Sequence, residues 1–206
     1  MTSKDLFANY LKRFDLYSQD IIQKFEVLFE DLKEANSRVN LFSRKMSLDD
    51  IWAFHFLDCI SLIEVYKDFA VKKILDFGTG GGLPGVPVKL LFPDCEMTLL
   101  DSTKKKIECI KGFKAINDMK LDFISERLEN LTDNKYKKRF DIILCRSVKI
   151  TKEIKKAFDS VLNKNGKIFL YKAIVLDDVE IFNKYKIHKL SPQDYGERRI
   201  VEINYG

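Results

Sequence analysis

The sequence contains few of the residues that build metal centres and disulfide frameworks. Its 206 residues include only two histidines and four cysteines. Cys59, Cys95, Cys109 and Cys145 lie far apart and form no C-x-x-C pair. We therefore predict neither a zinc site nor a disulfide framework, and we expect no bound metal. The four cysteines are interpreted as reduced, mostly buried thiols.

Long apolar runs are also missing. No stretch reaches the roughly 18 uncharged apolar residues of a membrane-spanning helix. The first residues, MTSKDLFANYLKRFDL, carry charges where a secretory signal would be apolar. These absences predict a cytoplasmic protein that does not contact a membrane. With 46% hydrophobic and 33% charged residues, the composition is that of an ordinary globular chain with one main domain.

The net charge of +5 is unevenly distributed along the chain. Residues 1–70 contain 9 Lys and Arg against 12 Asp and Glu, whereas residues 71–206 contain 27 against 19. The basic excess of the second part falls in short groups, at 104–106, 135–139 and 149–156. Such groups suit a polyanion such as RNA, but solvated lysine faces would give the same pattern. Charge alone leaves both interpretations open.

The hydrophobic period changes near residue 70. Before it, apolar residues at helical spacing predict one helix behind Ser18, over 19–36, and another behind Ser47, up to residue 66. After it, β-rich runs alternate with helical stretches. The predicted strands lie in 72–78, 96–102, 121–127, 140–147 and 166–173, and the predicted helices in 85–92, 103–117, 151–162 and 175–184.

This alternation is typical of parallel βαβ units. The last two β-rich segments, 185–192 and 198–205, have no helix between them and predict a hairpin-like pair. We therefore predict an α/β protein with a Rossmann-like sheet that is mostly parallel, with an antiparallel C-terminal strand. An N-terminal helical extension, 1–70, would precede a core domain at 71–206.

Glycine is scarce overall, yet it is concentrated in one loop. Of nine glycines, five lie in ILDFGTGGGLPGVPV, residues 74–88, between the first predicted strand and a helix whose first turn tolerates proline. In open α/β sheets this edge binds ligands. Gly80, Gly82 and Gly85 fit the G-x-G-x-x-G pattern of dinucleotide sites. That match is weak, because the carboxylate of Asp76 would repel a pyrophosphate at the helix N-terminus.

Two acidic residues favour a cationic ligand instead. Asp76 ends the first predicted strand, and Asp101 ends the second, where its oxygens could accept hydrogen bonds from two ribose hydroxyls. S-adenosylmethionine has a sulfonium, an ammonium and a ribose, but no phosphate. The two aspartates, with Gly78 and Gly80 between them, therefore predict a methyl-donor site. The alternative is a tight turn with two exposed aspartates.

These residues belong to segments that resemble the bacterial RsmG (GidB) family. The resemblance is carried by DFGTGGGLPGVPV, LLDSTKKK, SERLE, FDIILCRSV and GERRIVEI, and it extends to RVNLFS and to His55 with Asp58 in HFLDCI. It implies a methyltransferase core that modifies N7 of a guanine in 16S ribosomal RNA with S-adenosylmethionine. By the same resemblance, the substrate is ribosomal RNA, free or in the assembled small subunit, and we expect a monomer.

The resemblance also implies roles for individual residues. It places Gly78, Leu83, Leu128, Glu129 and Arg146 at donor-binding positions, where we add Asp76, Gly80 and Asp101. Lys105, Lys106, Arg127 and Arg198 match residues that face RNA, and Arg146 is also the candidate catalytic residue. The sequence departs from the family pattern in CRSV and in LYKA.

The absence of two motifs of other methyltransferase classes also favours guanine N7 as the acceptor. The segment after the fourth predicted strand reads CRSVKI rather than the N-P-P-Y of amino-group methyltransferases. Cys145 lacks the second cysteine of cytosine-carbon methyltransferases and is interpreted as a buried strand residue. Guanine N7 has its own lone pair and needs no general base. Two alternatives stay open: a small-molecule methyltransferase, and a non-catalytic RNA-binding module.

His55 and Asp58 lie one helical turn apart. We interpret them as a structural pair that joins the N-terminal helices to the sheet, rather than as acceptor-binding residues.

Overall fold

A seven-stranded sheet forms the centre of the computed structural model, which describes residues 1–42, 47–191 and 196–205. The strands are β1 (Lys73–Phe77), β2 (Glu96–Leu100), β3 (Leu121–Ile124), β4 (Phe140–Arg146), β5 (Leu162–Lys172), β6 (Lys186–Lys189) and β7 (Arg199–Asn204). Their order is β3-β2-β1-β4-β5-β7-β6. The first five are parallel, and β7 is antiparallel to both of its neighbours. The predicted sheet is confirmed.

Six α-helical segments lie in the described ranges beside the sheet. They are α1 (Ser3–Arg13), α2 (Gln19–Arg38), α3 (Asp58–Ile60), α4 (Gly85–Leu91), α5 (Lys104–Lys111) and α6 (Lys152–Val161). The predicted start of α2 is confirmed, since the Ser18 hydroxyl accepts a hydrogen bond from the Ile21 amide at 3.1 Å. No helix in the described ranges is both long enough and apolar enough to cross a bilayer.

The helix predicted behind Ser47 has an irregular form. It contains a π-helical segment, Ile51–Leu57, then α3, and then a 3₁₀ turn, Ser61–Glu64. The π-helical segment packs Trp52 against Phe7, with ring centroids 5.4 Å apart. π-helical turns are frequent at functional sites, and this segment carries His55 to the carboxyl edge of the sheet.

Side chains of the sheet alternate between two hydrophobic layers. On one face, Ile74 and Leu144 join a cluster that includes Phe7 and Leu28 of the N-terminal helices. On the other face, Leu75 belongs to the cluster around α6. The first cluster therefore joins residues from both sides of residue 70, and the division into 1–70 and 71–206 stays a proposal.

The helix predicted over 175–184 is wrong. The structure has turns there, in which Val179 and Phe182 donate backbone hydrogen bonds to residues three positions earlier. The buried Asp178 carboxylate accepts hydrogen bonds from the Lys172 ammonium at 2.6 Å and from the Ile150 amide at 2.8 Å. These tertiary hydrogen bonds satisfy the buried Asp178 carboxylate in a segment that is not helical. The predicted 103–117 helix is also shorter, because α5 ends before Gly112.

Candidate ligand site at the carboxyl edge of the sheet

A cavity of about 720 Å³ opens where the strand order reverses, between β1 and β4. The loops after β1, β2 and β4 line it, together with residues 126–129 beyond β3. The carboxyl ends of parallel strands meet at this edge, which is where open α/β sheets bind ligands. The cavity lies at the position predicted from the glycine-rich loop.

Close backbone packing explains the glycines after β1. Gly78 has a φ of +73°, and a Cβ there would lie 2.5 Å from Val148 Cγ2. At Gly85, the first residue of α4, a Cβ would lie 2.6 Å from Asp76 Oδ2 and 2.5 Å from Leu99 Cδ2. Glycine therefore lets the loop follow the cavity and lets α4 start directly against the strands.

Asp76 lies beneath this loop and not among the residues that line the cavity. Its side chain is fully buried, and Oδ2 accepts hydrogen bonds from the Thr79 hydroxyl at 2.6 Å and from the Gly85 amide at 2.8 Å. Oδ1 has no hydrogen-bond partner within the described ranges. Burial raises the pKa of Asp76 to about 7. The geometry gives Asp76 a bracing role in the loop, in place of the predicted contact with a cationic ligand.

Asp101 is one of the acidic residues that line the cavity, together with Glu126 and Glu129. Its Oδ2 accepts a hydrogen bond from the Gly80 amide at 3.1 Å, and its Oδ1 accepts one from the Thr103 amide at 2.8 Å. The ammonium of Lys106 lies 3.9 Å from Oδ2. Asp101 is held rigidly at the edge of β2, and each carboxylate oxygen retains capacity to accept another hydrogen bond.

The structure brings most of the predicted site residues to this cavity. Those that line it are Gly78, Gly80, Leu83, Asp101, Lys106, Arg127, Leu128, Glu129 and Arg146. Lys105 lines a separate groove between α2 and α5, because adjacent helical residues point in different directions. Arg198 lines a second cavity. The last residue of the RVNLFS segment, Ser43, lies outside the described residues.

The second cavity, of about 470 Å³, adjoins the first. The two cavities share His55, Arg146, Ser147 and Val148. A ligand in one cavity can therefore approach a ligand in the other beside Arg146 and His55.

Arg146 ties the N-terminal segment to the sheet at this junction. Its Nη1 donates to Asp58 Oδ2 at 2.7 Å and to the Phe54 carbonyl at 3.2 Å, and its Nη2 lies 2.7 Å from His55 Nδ1. The other oxygen of Asp58 lies 3.1 Å from Arg198 Nε. His55 and Asp58 do join the helices to the sheet, but through Arg146. The sequence pattern identifies His55, Asp58 and Arg146 but does not predict that they contact one another. The signal for this contact is an H-x-x-D turn together with an arginine at the end of a strand.

The contact with Arg146 fixes the protonation of His55. A guanidinium group can only donate, so Nδ1 must accept and the ring proton must reside on Nε2. Burial, together with the positive charge of Arg146, lowers the pKa of His55 to about 3. His55 is therefore neutral at physiological pH. Its buried Nε2 has no hydrogen-bond partner among the residues that the structure describes.

Cys145 is a buried strand residue, as expected. Burial raises the pKa of its thiol to about 12. The thiolate that a covalent mechanism requires is not available there at neutral pH.

Comparison with known proteins agrees with this geometry. The family model GidB, described as rRNA small subunit methyltransferase G, matches residues 21–194. The ribosomal RNA small subunit methyltransferase G of Mycoplasma capricolum subsp. capricolum is 32% identical over 169 residues, covering 82% of this chain and 71% of the relative. The protein of that name from Syntrophus aciditrophicus is 32% identical over 192 residues, covering 88% and 78%.

A solved structure supports the fold. A protein from Agrobacterium tumefaciens, described as a predicted O-methyltransferase, superimposes with a TM-score of 0.60 at 14% identity. The match covers 74% of this chain and 81% of that one. At this identity the likeness concerns the fold alone.

Proposed function

The chain belongs to the GidB family, rRNA small subunit methyltransferase G, and from this premise we propose that it methylates N7 of a guanine in 16S ribosomal RNA. The methyl donor is S-adenosylmethionine. The chain acts as a monomer, in the cytoplasm, on RNA that is free or within the assembled small subunit. The observation that carries the proposal is the cavity beside the glycine-rich loop, with Asp101 at its wall.

The residues of the first cavity fit the donor. Asp101 can accept hydrogen bonds from two ribose hydroxyls, since each of its oxygens already holds only one backbone amide. Leu83 and Leu128 supply apolar surface for an adenine ring, and Gly78 and Gly80 let the backbone approach the ligand. A volume of about 720 Å³ lies within the usual range of cofactor sites.

Guanine N7 makes modest chemical demands on the protein. The bound donor supplies an electrophilic methyl group: the N7–carbon bond forms with the lone pair of N7, while the sulfur–carbon bond breaks and sulfur keeps that electron pair. No proton is transferred, so no general base is needed. The chain must orient the base and exclude water. We assign the base to the second cavity, where it meets the first beside Arg146 and His55.

Arg146 is proposed to position this junction. Its bonds to Asp58, His55 and the Phe54 carbonyl fix the wall between the two cavities. Lys106 and Arg127 line the first cavity and Arg198 lines the second, and we assign all three to the RNA. Lys105 lies in a separate groove beside α5 and is also assigned to the RNA. These assignments match the basic excess of residues 71–206.

Methyl transfer to defined RNA tests the proposal. The purified chain is incubated with methyl-labelled S-adenosylmethionine and either protein-free 16S RNA or assembled small subunits. The modified base is then mapped by cleavage at N7-methylguanine. We expect label at one guanine. Label that enters a metabolite extract without RNA would identify a small-molecule methyltransferase.

Donor binding supplies the second arm of this test. Calorimetric titration with S-adenosylmethionine should show binding that is lost in Asp101→Ala. It should be unchanged in Asp122→Ala, which removes an exposed carboxylate from β3. A chain that binds RNA without binding the donor would be an RNA-binding module and not an enzyme.

A further inference from the structure

The Nε2 of His55 is an unusual atom in this molecule. His55 is 8% exposed, and Nε2 and Asp76 Oδ1 are the buried side-chain atoms without a hydrogen-bond partner in the part of the chain described here. Buried polar groups are nearly always paired, so each exception calls for an explanation. Asp76 Oδ1 lies away from the cavity surface. His55, in contrast, lines both cavities.

Two polar groups close to His55, Asp58 and Arg146, are committed to other contacts. Asp58 gives one oxygen to Arg146 and the other to Arg198. Arg146 occupies Nδ1, which fixes the proton on Nε2 and holds the orientation of the ring. The chain therefore maintains a neutral, oriented N–H donor at the junction of the two cavities. Such a donor suits a neutral oxygen acceptor on a ligand.

We propose that the Nε2–H of His55 donates a hydrogen bond to O6 of the acceptor guanine. This inference rests on the proposed function. Guanine presents N7 and O6 side by side on one edge, whereas adenine presents an amino group beside its N7. An N–H donor next to the methylation position can donate a hydrogen bond to O6 of guanine. It disfavours adenine, whose amino group is also a donor. His55 is thus a specificity residue for the base.

The ring of Phe42 lies beside His55. Its centroid lies 5.2 Å from that of His55, and Phe42 also lines the first cavity. Since Nε2 is fully covered in this structure, an incoming oxygen reaches it only after a neighbouring group has moved.

Two substitutions of His55 test the roles of its two ring nitrogens separately. In His55→Asn, the amide oxygen takes the place of Nδ1 and can still accept from Arg146, but the outer N–H is deleted. In His55→Gln, the longer amide reaches the Nε2 position and retains an N–H donor. His188→Asn is the matched control, because His188 lies on β6 paired with Glu202 at 2.8 Å and lines neither cavity.

Each protein is assayed on two RNA substrates. One carries guanine at the mapped target position, and the other carries 2-aminopurine, which retains N7 but has hydrogen in place of O6. Single-turnover rate constants for the four proteins and two substrates form a double-mutant cycle between protein and base. Any change in the intrinsic reactivity of N7 is the same for all proteins and cancels in the cycle.

Loss of O6 should slow the wild type and His188→Asn about 5- to 10-fold more than it slows His55→Asn. His55→Gln should retain most of the wild-type sensitivity to O6. Equal sensitivity in wild type and His55→Asn would overturn the inference and leave the Nε2–H a structural group, paired with buried water. Failure of the wild type to methylate the guanine substrate would contradict the proposed function itself, a separate outcome.

Discussion

Asp58 forms ion pairs with two arginines that come from distant parts of the sequence. Its two oxygens contact Arg146 at the end of β4 and Arg198 just before β7. All three side chains are largely buried, and removing one partner from such a cluster leaves a charge without compensation, at a typical cost of about 3–5 kcal/mol. At the scale of single residues, this cluster determines the shape of the site.

Arg146→Lys should impair catalysis strongly. One ammonium group cannot hold Asp58, His55 and the Phe54 carbonyl in the plane that the guanidinium provides. We expect a loss of about 2–3 kcal/mol in transition-state stabilisation, measured as the single-turnover rate on the RNA substrate. The control is Arg139→Lys, at a half-buried arginine outside both cavities that is paired with Asp122 at 2.7 Å. Rates within about threefold of wild type would remove Arg146 from the site.

Asp76 should make stability depend on pH. Burial raises its pKa from 3.8 to about 7, so the folded protein binds this proton more tightly than the unfolded chain does. Its contribution to the free energy of unfolding is complete below pH 4 and is lost as the pH rises through 7. Between pH 5 and pH 8 the contribution should fall by about 2 kcal/mol.

Urea denaturation at the two pH values checks this expectation. Asp76→Asn, whose side-chain oxygen can still accept from Thr79 and Gly85, should abolish the pH-dependent loss. The exposed control Asp122→Asn should retain it. If Asp76→Asn and wild type lost the same free energy between pH 5 and pH 8, Asp76 would not be the group that titrates.

At the scale of elements, the start of α4 depends on Gly85 having no side chain. A Cβ at Gly85 would come within 2.6 Å of Asp76 Oδ2 and 2.5 Å of Leu99 Cδ2. We predict that Gly85→Ala lowers the free energy of unfolding by about 1–3 kcal/mol, because α4 must move away from the strands. At Gly112, a Cβ would meet its nearest atom, the Cys109 carbonyl oxygen, at 3.4 Å.

Gly112→Ala is therefore the matched control, and it should change stability little. Urea unfolding of both variants measures the difference. Equal stabilities would show that the loop adapts to a side chain at Gly85.

Elements with a clear local signal could be predicted from the sequence. The five parallel strands and α4 follow from short apolar runs and from the glycine and proline residues after β1. The segment 175–184 could not be predicted, since its apolar spacing also suits a helix and only the contacts of Asp178 decide against one. Similarly, a carboxylate at a strand end can face the cavity, as Asp101 does, or the core, as Asp76 does. The packing of α4 decides whether such a carboxylate faces the cavity or the core.

At the scale of the whole molecule, the N-terminal helices and the sheet share one hydrophobic cluster. Trp52, the single tryptophan, lies in this cluster against Phe7 and Phe56. We predict that its fluorescence and the far-ultraviolet circular dichroism report one urea transition with the same midpoint. An earlier transition of Trp52 fluorescence would instead support residues 1–70 as a separately unfolding domain.

RNA binding should depend steeply on salt. The basic excess lies in residues 71–206, and each phosphate neutralised on a strand or duplex should contribute about 0.7 to 0.9 to the slope of log K against log salt. Charge reversal at Lys105 and Lys106 should reduce that slope in a filter-binding titration. Reversal at Lys24, which is paired with Asp20 on α2, serves as the control. If the Lys105 and Lys106 reversal gave the same slope as the Lys24 reversal, the RNA would bind away from Lys105 and Lys106.

The position of β7 in the sheet has a consequence for biosynthesis. β6 pairs with β7, and β7 lies between β5 and β6. During translation, β6 therefore emerges before the strand that attaches it to the sheet. A nascent chain that already contains Asp58, the glycine-rich loop and Arg146 still lacks Arg198, the second arginine on Asp58. All residues that line the first cavity precede residue 155 and are translated before β7, whereas the second cavity lacks Arg198 until that residue has been translated.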